Sequence, residues 1–432
     1  MATANTFGDP AGTVGTLNGF FKETYADKLG ELIPDGVKLL NRIKFLSKDK
    51  QPGNLYHQPV ILGLEHGVTF ASSDQDAFNL NAPVAGQIKD AQVRGNPIVL
   101  RSLLGYVAAS RAALGGQKAF MDATKFLVAN MLRSMAKKLE IELLYGQMGY
   151  GVVAAGGLPG NSYQPPGQSV AKTLGATEYA IAPAEWAPGI WAGAEGMPVE
   201  IRNAAGSVSR GTATVQSVDM IYQTISLDTA LPGIVATDII WHKGAFGNEF
   251  PGIQKILTSS TGVLFNIDQS VFTLWRGNTY DAQSGALSFG KLTAALSRAV
   301  EKGLDSKVCV YINPRAWANV MTDQAALRRY DSSYSDSITK TGSNSLLFHS
   351  QNGEMEIEPS IYVKQGYAYM LDLEEWFRVG STDMTFKRPG QGEEFFRDLE
   401  NSAAYELRLY SDQAVFCMAP GKNVVIINIV NS

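Results

Sequence analysis

The stretch Gln117–Tyr145, QKAFMDATKFLVANMLRSMAKKLEIELLY, contains neither proline nor glycine. The apolar residues recur at helical spacing: Phe120, Leu127, Met131, Met135, Leu139 and Leu143. Lysine and arginine residues occupy the other faces. The pattern predicts one long helix, about 43 Å if straight. Methionines in such a stripe usually fill a core, so we interpret the stripe as a packing face.

The residues before this helix predict two extended features. Residues 1–50 are predicted to be an N-terminal arm of short helical pieces, broken at Pro34–Gly36. The apolar residues of the arm must pack either on the chain's own body or on a neighbouring subunit: Phe20, Phe21, Tyr25, Leu29, Leu32 and Ile33.

Residues 51–110 predict a long hairpin-like loop. Its extended segments, Tyr56–Phe70 and Gln87–Val107, are joined by the turn-rich stretch SSDQDAFNLN. A two-stranded ribbon has little core of its own, so we expect it to lie on another surface.

The amino-acid composition changes after the helix. Residues 146–196 are rich in glycine, proline and alanine, and four alternating runs follow: MPVEIRN, TATVQSV, IYQTISLD and TDIIWH. This pattern predicts a small β-barrel or sandwich at 146–250, inserted in a larger domain.

A strand and two helices are predicted beyond the insertion. Ser288–Lys302 has the pattern of an amphipathic helix, Lys307–Ile312 that of a buried strand, and Asn313-Pro314 opens a second helix, Arg315–Met321. This strand–helix unit indicates an α/β or α+β fold. Strands are predicted to end the sequence: Ala404–Tyr410, Ala414–Met418 and an edge-like Val424–Val430.

Composition narrows the function classes. Charged residues are 18% of the chain, below the roughly 25% usual for soluble domains, which fits either extensive subunit contacts or a large monomer. A formal net charge of −4 without a basic run disfavours strong phosphate-driven binding of nucleic acid. We expect a soluble, non-secreted protein, because the N-terminus lacks a signal-peptide pattern and no apolar stretch could span a bilayer. Cys309 and Cys417 are predicted to be buried reduced thiols.

The residues that usually perform chemistry form no recognisable site. The four histidines lie far apart, no serine stands in a G-x-S-x-G elbow, and pairs such as Glu374–Glu375 and Glu393–Glu394 are typical of solvated faces. Gly285–Lys291 matches G-x-x-x-x-G-K but has Leu292 where a magnesium-binding hydroxyl should stand. Glycines at 149, 151 and 156 follow a helix instead of a strand, so they do not form a dinucleotide fingerprint. We therefore predict a protein that is not an enzyme and has no catalytic, cofactor-binding or metal-binding residues.

The order of these elements resembles the major capsid proteins of tailed bacteriophages, whose fold is shared with encapsulins and the floor of herpesvirus shells. Four stretches carry the local resemblance: PGIQKILTSSTGVLFNI, FTLWRGNTYDAQSGALSFGKLTAALSRAVEKG, VCVYINPRAWANVM and SAAYELRLYSDQAVFCMAPGKNVVIINI. The resemblance implies an α+β capsid fold with seven parts: an N-terminal arm (1–50), an extended loop (51–110), a peripheral domain with a spine helix (111–145), a β-rich insertion domain (146–250), a connection (251–284), an axial domain (285–380) and terminal strands of the peripheral domain (381–432).

The same resemblance implies a function. Subunits of this kind assemble into hexamers and pentamers that form an icosahedral shell around double-stranded DNA, with scaffold, portal and possibly cement proteins as partners. The expected location is the virion, after assembly in the host cytoplasm, with no sequence-specific DNA binding and no membrane. Residues expected at subunit contacts are Phe20, Phe21, Tyr56, Phe70, Phe78, Ile98 and Leu100. The alternative is an encapsulin-like cargo shell or a β-rich virion or surface protein.

Overall fold

A computed structural model describes eight ranges of the chain: 36–46, 55–74, 77–105, 117–323, 346–350, 353–387, 397–399 and 402–431. The fold is of the α+β class, as predicted. The α-helices are α1 (Leu39–Arg42), α2 (Gln117–Tyr145), α3 (Pro188–Trp191), α4 (Ile253–Thr258), α5 (Phe289–Val300) and α6 (Pro314–Thr322). Short 3-10 turns occupy Pro183–Glu185, Thr273–Trp275, Leu373–Glu375 and Pro420–Lys422.

Most of the remaining ordered backbone is extended. In chain order, the strands are β1 (Lys44–Phe45), β2 (Tyr56–Gly63), β3 (Gln87–Val93), β4 (Asn96–Gly105), β5 (Gly151–Val152), β6 (Ser162–Tyr163), β7 (Lys172–Thr173), β8 (Glu178–Ala180), β9 (Pro198–Arg202), β10 (Ser209–Asp219), β11 (Thr224–Leu227), β12 (Ile239–His242), β13 (Val263–Leu264), β14 (Ile267–Asp268), β15 (Asn278–Asp281), β16 (Val308–Ile312), β17 (Leu346–Ser350), β18 (Gly353–Pro359), β19 (Ala368–Leu371), β20 (Trp376–Thr385), β21 (Arg397–Leu399), β22 (Ser402–Cys417) and β23 (Val424–Ile427).

The long helix α2 has the predicted bounds, which confirms the prediction from its uninterrupted pattern. The side chains of its stripe that are described are all buried: Leu127, Met131, Met135, Leu139 and Leu143. They face a five-stranded sheet in which β1, β20, β22 and β21 lie side by side and β4 also pairs with β22. Burial of five large apolar side chains, at about 1.5–3 kcal/mol each, holds the helix on this sheet.

The longest strand of this sheet, β22, joins two stretches predicted as separate strands. It runs without a break from Ser402 to Cys417 and pairs antiparallel with β4 over the whole length of β4, from Ala404 opposite Gly105 to Gln413 opposite Asn96. The second extended segment of the predicted ribbon is therefore divided. β3 belongs to the ribbon, whereas β4 belongs to the sheet beneath α2.

A second sheet has six strands in the order β15-β23-β19-β16-β18-β17. Helices α5 and α6 contribute buried apolar residues to its core, and both begin at caps visible in the sequence. The Ser288 hydroxyl accepts the N–H of Lys291, and the Asn313 side chain accepts the N–H of Arg315 with Pro314 at the first helical position.

The prediction of an edge strand at 424–430 is wrong. β23 lies between β15 and β19, and Val424, Val425 and Ile426 are fully buried. A short apolar run looks the same at an edge and in the middle of a sheet, because its partners come from distant parts of the sequence. The boundaries taken from the resemblance, at 285 and 380, stay a prediction; β15 and β23 lie in the sheet of α5, and β20 begins at Trp376 in the sheet of α2.

Residues 146–250 form a separate six-stranded sheet in the order β5-β12-β9-β10-β11-β8. Its two end strands also meet, through a β-bridge between Val153 and Ile181. The Ala154 N–H donates to the Ala180 carbonyl at 2.9 Å beside this bridge. The chain enters and leaves this sheet at one place, because the Gly252 N–H donates to the Gly146 carbonyl at 2.9 Å.

A buried lysine joins three parts of the molecule. The Lys364 ammonium group donates to the Glu185 carboxylate at 2.7 Å and to the Gly149 carbonyl at 3.1 Å. It also lies 4.3 Å from the centre of the Tyr145 ring, at the end of α2. The Tyr145 hydroxyl accepts the Lys364 N–H and donates to the Tyr362 carbonyl. This Lys364 junction links the long helix, the β-rich segment and the loop between β18 and β19.

The described part of the predicted arm, residues 36–46, is fixed to the chain's own body. The buried Glu140 carboxylate on α2 accepts the N–H groups of Lys38, Leu39 and Leu40 at 2.8–3.1 Å. Arg42 donates to Glu358 on β18, and β1 runs parallel to β20. The other arm residues with apolar side chains, Phe20 and Phe21 among them, lie outside the described residues.

Two acidic residues crowd the C-terminal end of α2. Glu142 and Glu249 are both buried, and each has one oxygen without a hydrogen-bond partner among the described residues. The other Glu249 oxygen accepts the Gln147 N–H at 3.0 Å. Burial and the neighbouring Glu249 charge raise the pKa of Glu142 to about 8, against the opposing effect of Lys138.

This crowding predicts a stability that decreases as the pH rises. Between about pH 5 and pH 8, folded Glu142 keeps a proton that the unfolded chain has released, so each step upward in pH favours unfolding. Glu142→Gln should therefore match the wild type near pH 5 and be more stable than it near pH 8, by urea midpoints. Glu301→Gln, at an exposed position, is the control. Parallel pH curves for wild type and Glu142→Gln would contradict the expectation.

Candidate assembly surfaces

A two-stranded ribbon, residues 55–93, projects its far end away from the rest of the fold. β2 and β3 pair antiparallel from Tyr56 opposite Val93 to Gly63 opposite Gln87. Beyond them lies the ribbon tip, residues 64–86; its described parts, 64–74 and 77–86, are irregular and have few backbone bonds among themselves, such as the His66 N–H to the Val84 carbonyl at 3.1 Å. A ribbon with so few contacts gains little stability from its own packing.

The base of the ribbon is held by aromatic and backbone contacts. The rings of Tyr56 and Phe265 both meet Phe416 of β22 edge to face, with ring centres 6.0 and 5.1 Å apart. The Gln92 N–H donates to the Phe265 carbonyl at 3.0 Å, and the His57 ring hydrogen-bonds to Asp90 at 2.6 Å across the two strands. The base is therefore part of the folded body, and only the outer part is free.

The ribbon exposes many large apolar side chains. Phe70 is 91% exposed, the highest value among the large apolar side chains that are described. Eight others on the ribbon are exposed as well: Leu55, Ile61, Leu64, Val68, Phe78, Leu80, Val84 and Ile88. Such a concentration on one projection marks a surface that binds something.

The predicted contact residues fall into three groups. Phe70 and Phe78 lie exposed on the ribbon tip. Tyr56 packs at the ribbon base, while Ile98 and Leu100 on β4 are half-buried against the chain's own core. Phe20 and Phe21 lie outside the described residues. A role of these seven residues between subunits stays a prediction.

Sequence reasoning missed several exposed residues. Ile61 alternates with the half-buried Val60 and Leu62 along β2, so the run Val60–Leu62 puts an apolar side chain on each face. That run was a usable signal, because a two-stranded ribbon cannot bury both faces. A second apolar patch, near the hairpin of β13 and β14, comprises Val263, Val271 and Leu274 and gave no comparable signal.

The motif residues tested for chemistry have structural roles. The Lys291 ammonium group donates to the carbonyls of Ala282 and Ala286, both at 2.9 Å, and so ties the loop before α5 to the helix. Cys309 and Cys417 are buried and free, as predicted, and burial raises the pKa of Cys309 to about 12. Across the described side chains, no three histidine, cysteine or acidic residues cluster as metal ligands would. The described helices include none with the length and apolarity that a membrane crossing requires.

Lys291→Ala should consequently leave the protein's behaviour almost unchanged. The substitution removes two hydrogen bonds at a partly exposed site, which costs on the order of 1–2 kcal/mol of unfolding free energy. Isothermal titration calorimetry should detect no ATP binding in either the wild type or the variant. Micromolar ATP binding that is lost in Lys291→Ala would show that the loop is a nucleotide site after all.

No protein-family model matches the sequence, and no curated protein matches it. Solved structures do match. A cyanophage A-1(L) capsid asymmetric unit has a chain 11% identical to this one, with a TM-score of 0.53 over 95% of this chain and 97% of that chain. The capsid of a native GTA particle gives 8% identity and a TM-score of 0.48 over 95% of both chains. An encapsulin from Synechococcus elongatus PCC 7942 gives 9% identity and a TM-score of 0.40 over 96% of this chain and 95% of that chain. The agreement with the cyanophage structure shows that this chain has a phage capsid fold.

Proposed function

We propose that this chain is the coat subunit of a phage-type shell, which works by self-assembly into hexamers and pentamers around double-stranded DNA. The observation that carries the proposal is the match to a cyanophage capsid chain along nearly the whole length of both chains. The apolar ribbon supports it independently, because that surface has no partner among the described residues of a single subunit.

We assign the parts of the subunit by the same reasoning. The sheet beneath α2 would be the peripheral domain and the sheet of α5 and α6 the axial domain. The ribbon would be the extended loop, lying across a neighbouring subunit. Residues 146–250 would be an inserted barrel-like domain, since their strands connect into a ring and their two ends meet at Gly146 and Gly252.

The expected partners follow from the proposed role. Scaffold, portal and possibly cement proteins would bind the shell, which would form in the host cytoplasm and remain in the virion. The net charge of −4 supports a shell that encloses DNA without gripping its phosphates. We propose no enzymatic activity for the subunit.

The mass of the native assembly tests the proposal. Purified protein examined by light scattering and negative-stain microscopy should form closed shells of uniform size. Fibres would favour a surface or tail protein, and discrete particles of one or two subunits would contradict a coat function. Shells that enclose a protein cargo and exclude DNA in the producing cell would favour the encapsulin-like alternative.

Hydrogen exchange should show the ribbon tip changing state on assembly. In a free subunit, residues 64–74 and 77–86 should exchange rapidly, because few of their N–H groups are hydrogen-bonded to other described residues. In shells, the same amides should be protected once the apolar side chains lie on a neighbour. Strand β22, which pairs with β20 and with β4, is the internal control and should be protected in both states. Equal, strong protection of the tip in both states would count against the ribbon's role.

A further inference from the structure

A cavity lies between α2 and the β-rich segment, away from the ribbon tip, and its lining includes Leu100 of β4. Its volume is about 380 Å³, within the range of small-molecule sites. The lining includes one face of α2, the loop 193–198 and single residues from elsewhere. It is too small for a folded partner, so any occupant is a small molecule or a single side group.

Three cationic residues of α2 line this cavity, together with one acidic residue. Arg133 and Lys137 are one helical turn apart and share one face of α2, and Lys138, next to Lys137 in the sequence, also lines the cavity. Glu195 is the acidic residue of the lining, and His242 stands near Lys138. The charge of the lining is therefore positive near neutral pH, because burial and Lys138 lower the pKa of His242 to about 4 and keep it uncharged.

Both lysines are turned toward neutral acceptors. The Lys137 ammonium group donates to the Ala192 carbonyl, and the Lys138 ammonium group contacts the Met197 sulfur at 3.3 Å. Lys138 also lies 5.1 Å from the centre of the Tyr150 ring. Neither forms an ion pair closer than 4 Å with a described residue. Burial lowers the pKa of each to about 8, although Glu195 acts to raise the pKa of Lys137, and Glu142 and Glu249 act to raise that of Lys138.

The rest of the wall is apolar. Ile190, Met197 and Tyr362 line it beside the polar Asn130 and Ser134. A cavity with a cationic side and an apolar side suits a ligand that has a charged head and an apolar body. A phosphate group has three acceptor oxygens and up to two negative charges, which three cations can match better than they match a carboxylate.

We propose that this cavity is a binding site for a small organic phosphate. The phosphate accepts hydrogen bonds from Arg133, Lys137 and Lys138, and the apolar body of the ligand lies against Ile190, Met197 and Tyr362. A ligand held there bridges α2 and the loop 193–198, so it stabilises the contact between the long helix and the β-rich segment.

Calorimetric titration of the full chain with phenyl phosphate tests this site. Phenyl phosphate should bind more tightly than inorganic phosphate, which lacks the apolar body, and more tightly than benzoate or uncharged phenol. Each charged hydrogen bond is worth about 1.5–3 kcal/mol, so Lys137→Gln and Arg133→Gln should each raise the Kd about 10-fold or more. Lys255→Gln, an exposed lysine outside the cavity, should leave the Kd unchanged.

Two results would overturn the proposal. One is the absence of measurable phenyl phosphate binding to the wild type at millimolar concentration. The other is a Kd that is the same in wild type, Lys137→Gln and Arg133→Gln, with phenol binding as well as phenyl phosphate. Circular dichroism and urea midpoints establish that each variant is folded, and the exposed Arg133 provides a substitution that spares the core if Lys137→Gln is unstable.

Discussion

Replacing Phe70 by aspartate is expected to abolish shell formation while leaving the subunit folded. The side chain is 91% exposed in the single subunit, so its loss removes almost no internal packing. The free energy of unfolding should change by less than about 0.5 kcal/mol, as for other surface substitutions. In a shell, however, the aspartate would place an unpaired charge in an apolar contact, at a cost of several kcal/mol for every subunit.

The matched control is Ser73→Asp, which adds the same charge to the same ribbon tip without removing an apolar group. Microscopy and sedimentation should show shells for the wild type and Ser73→Asp, and free subunits or small oligomers for Phe70→Asp. Normal shells from Phe70→Asp would mean that the tip does not mediate assembly. A large loss of subunit stability would mean instead that Phe70 packs on its own chain.

The largest stability effect is expected from Lys364→Met at the Lys364 junction. The lysine is 1% exposed, and its loss leaves the Glu185 carboxylate, whose side chain is only 17% exposed, without a cation. Breaking a buried ion pair in this way typically costs about 3–5 kcal/mol. We expect a decrease of that size in the free energy of unfolding, measured by urea denaturation. Lys255→Met, at an exposed lysine, should change it by less than about 0.5 kcal/mol.

A double variant separates the ion pair from packing. Lys364→Met combined with Glu185→Gln removes both charges, so it should recover a substantial part of the lost stability. Burial acts to raise the pKa of Glu185, but the Lys364 charge and the hydrogen bonds from Lys364 and Tyr367 outweigh it and hold the pKa below its ordinary value. The pair therefore stabilises the fold above about pH 4.3 and loses this effect as the pH falls further. A double variant as unstable as Lys364→Met would assign the loss to packing alone.

Local signals in the sequence predicted the elements well. The uninterrupted run 117–145 and the caps at Ser288 and Asn313 predicted helices that the structure confirms. Each of these signals lies within one short, continuous segment of the sequence. They succeed because helix formation depends on spacing and on capping groups within the same segment.

Long-range pairing was not accessible in the same way. The sequence does not reveal that β4 pairs with β22, some 300 residues away, or that β23 lies inside a sheet. Glu140 and Glu142 of the long helix are both buried, which the sequence analysis did not anticipate. The partners of Glu140 are backbone N–H groups of residues 38–40, which no helical pattern in α2 could indicate. The exposed apolar residues of the ribbon were only partly predicted, since Phe70 and Phe78 were named but Ile61, Leu64 and Leu80 were not.

The interior position of β23 also imposes an order on biosynthesis. Its neighbours β15 and β19 leave the ribosome earlier, but they cannot be joined until residues 424–427 have been translated. Until then the sheet lacks the strand that joins β15 to β19, and the apolar face of α5 has an incomplete surface to pack on. We expect nascent chains to be unable to associate before that point, so incomplete subunits on neighbouring ribosomes do not assemble with one another.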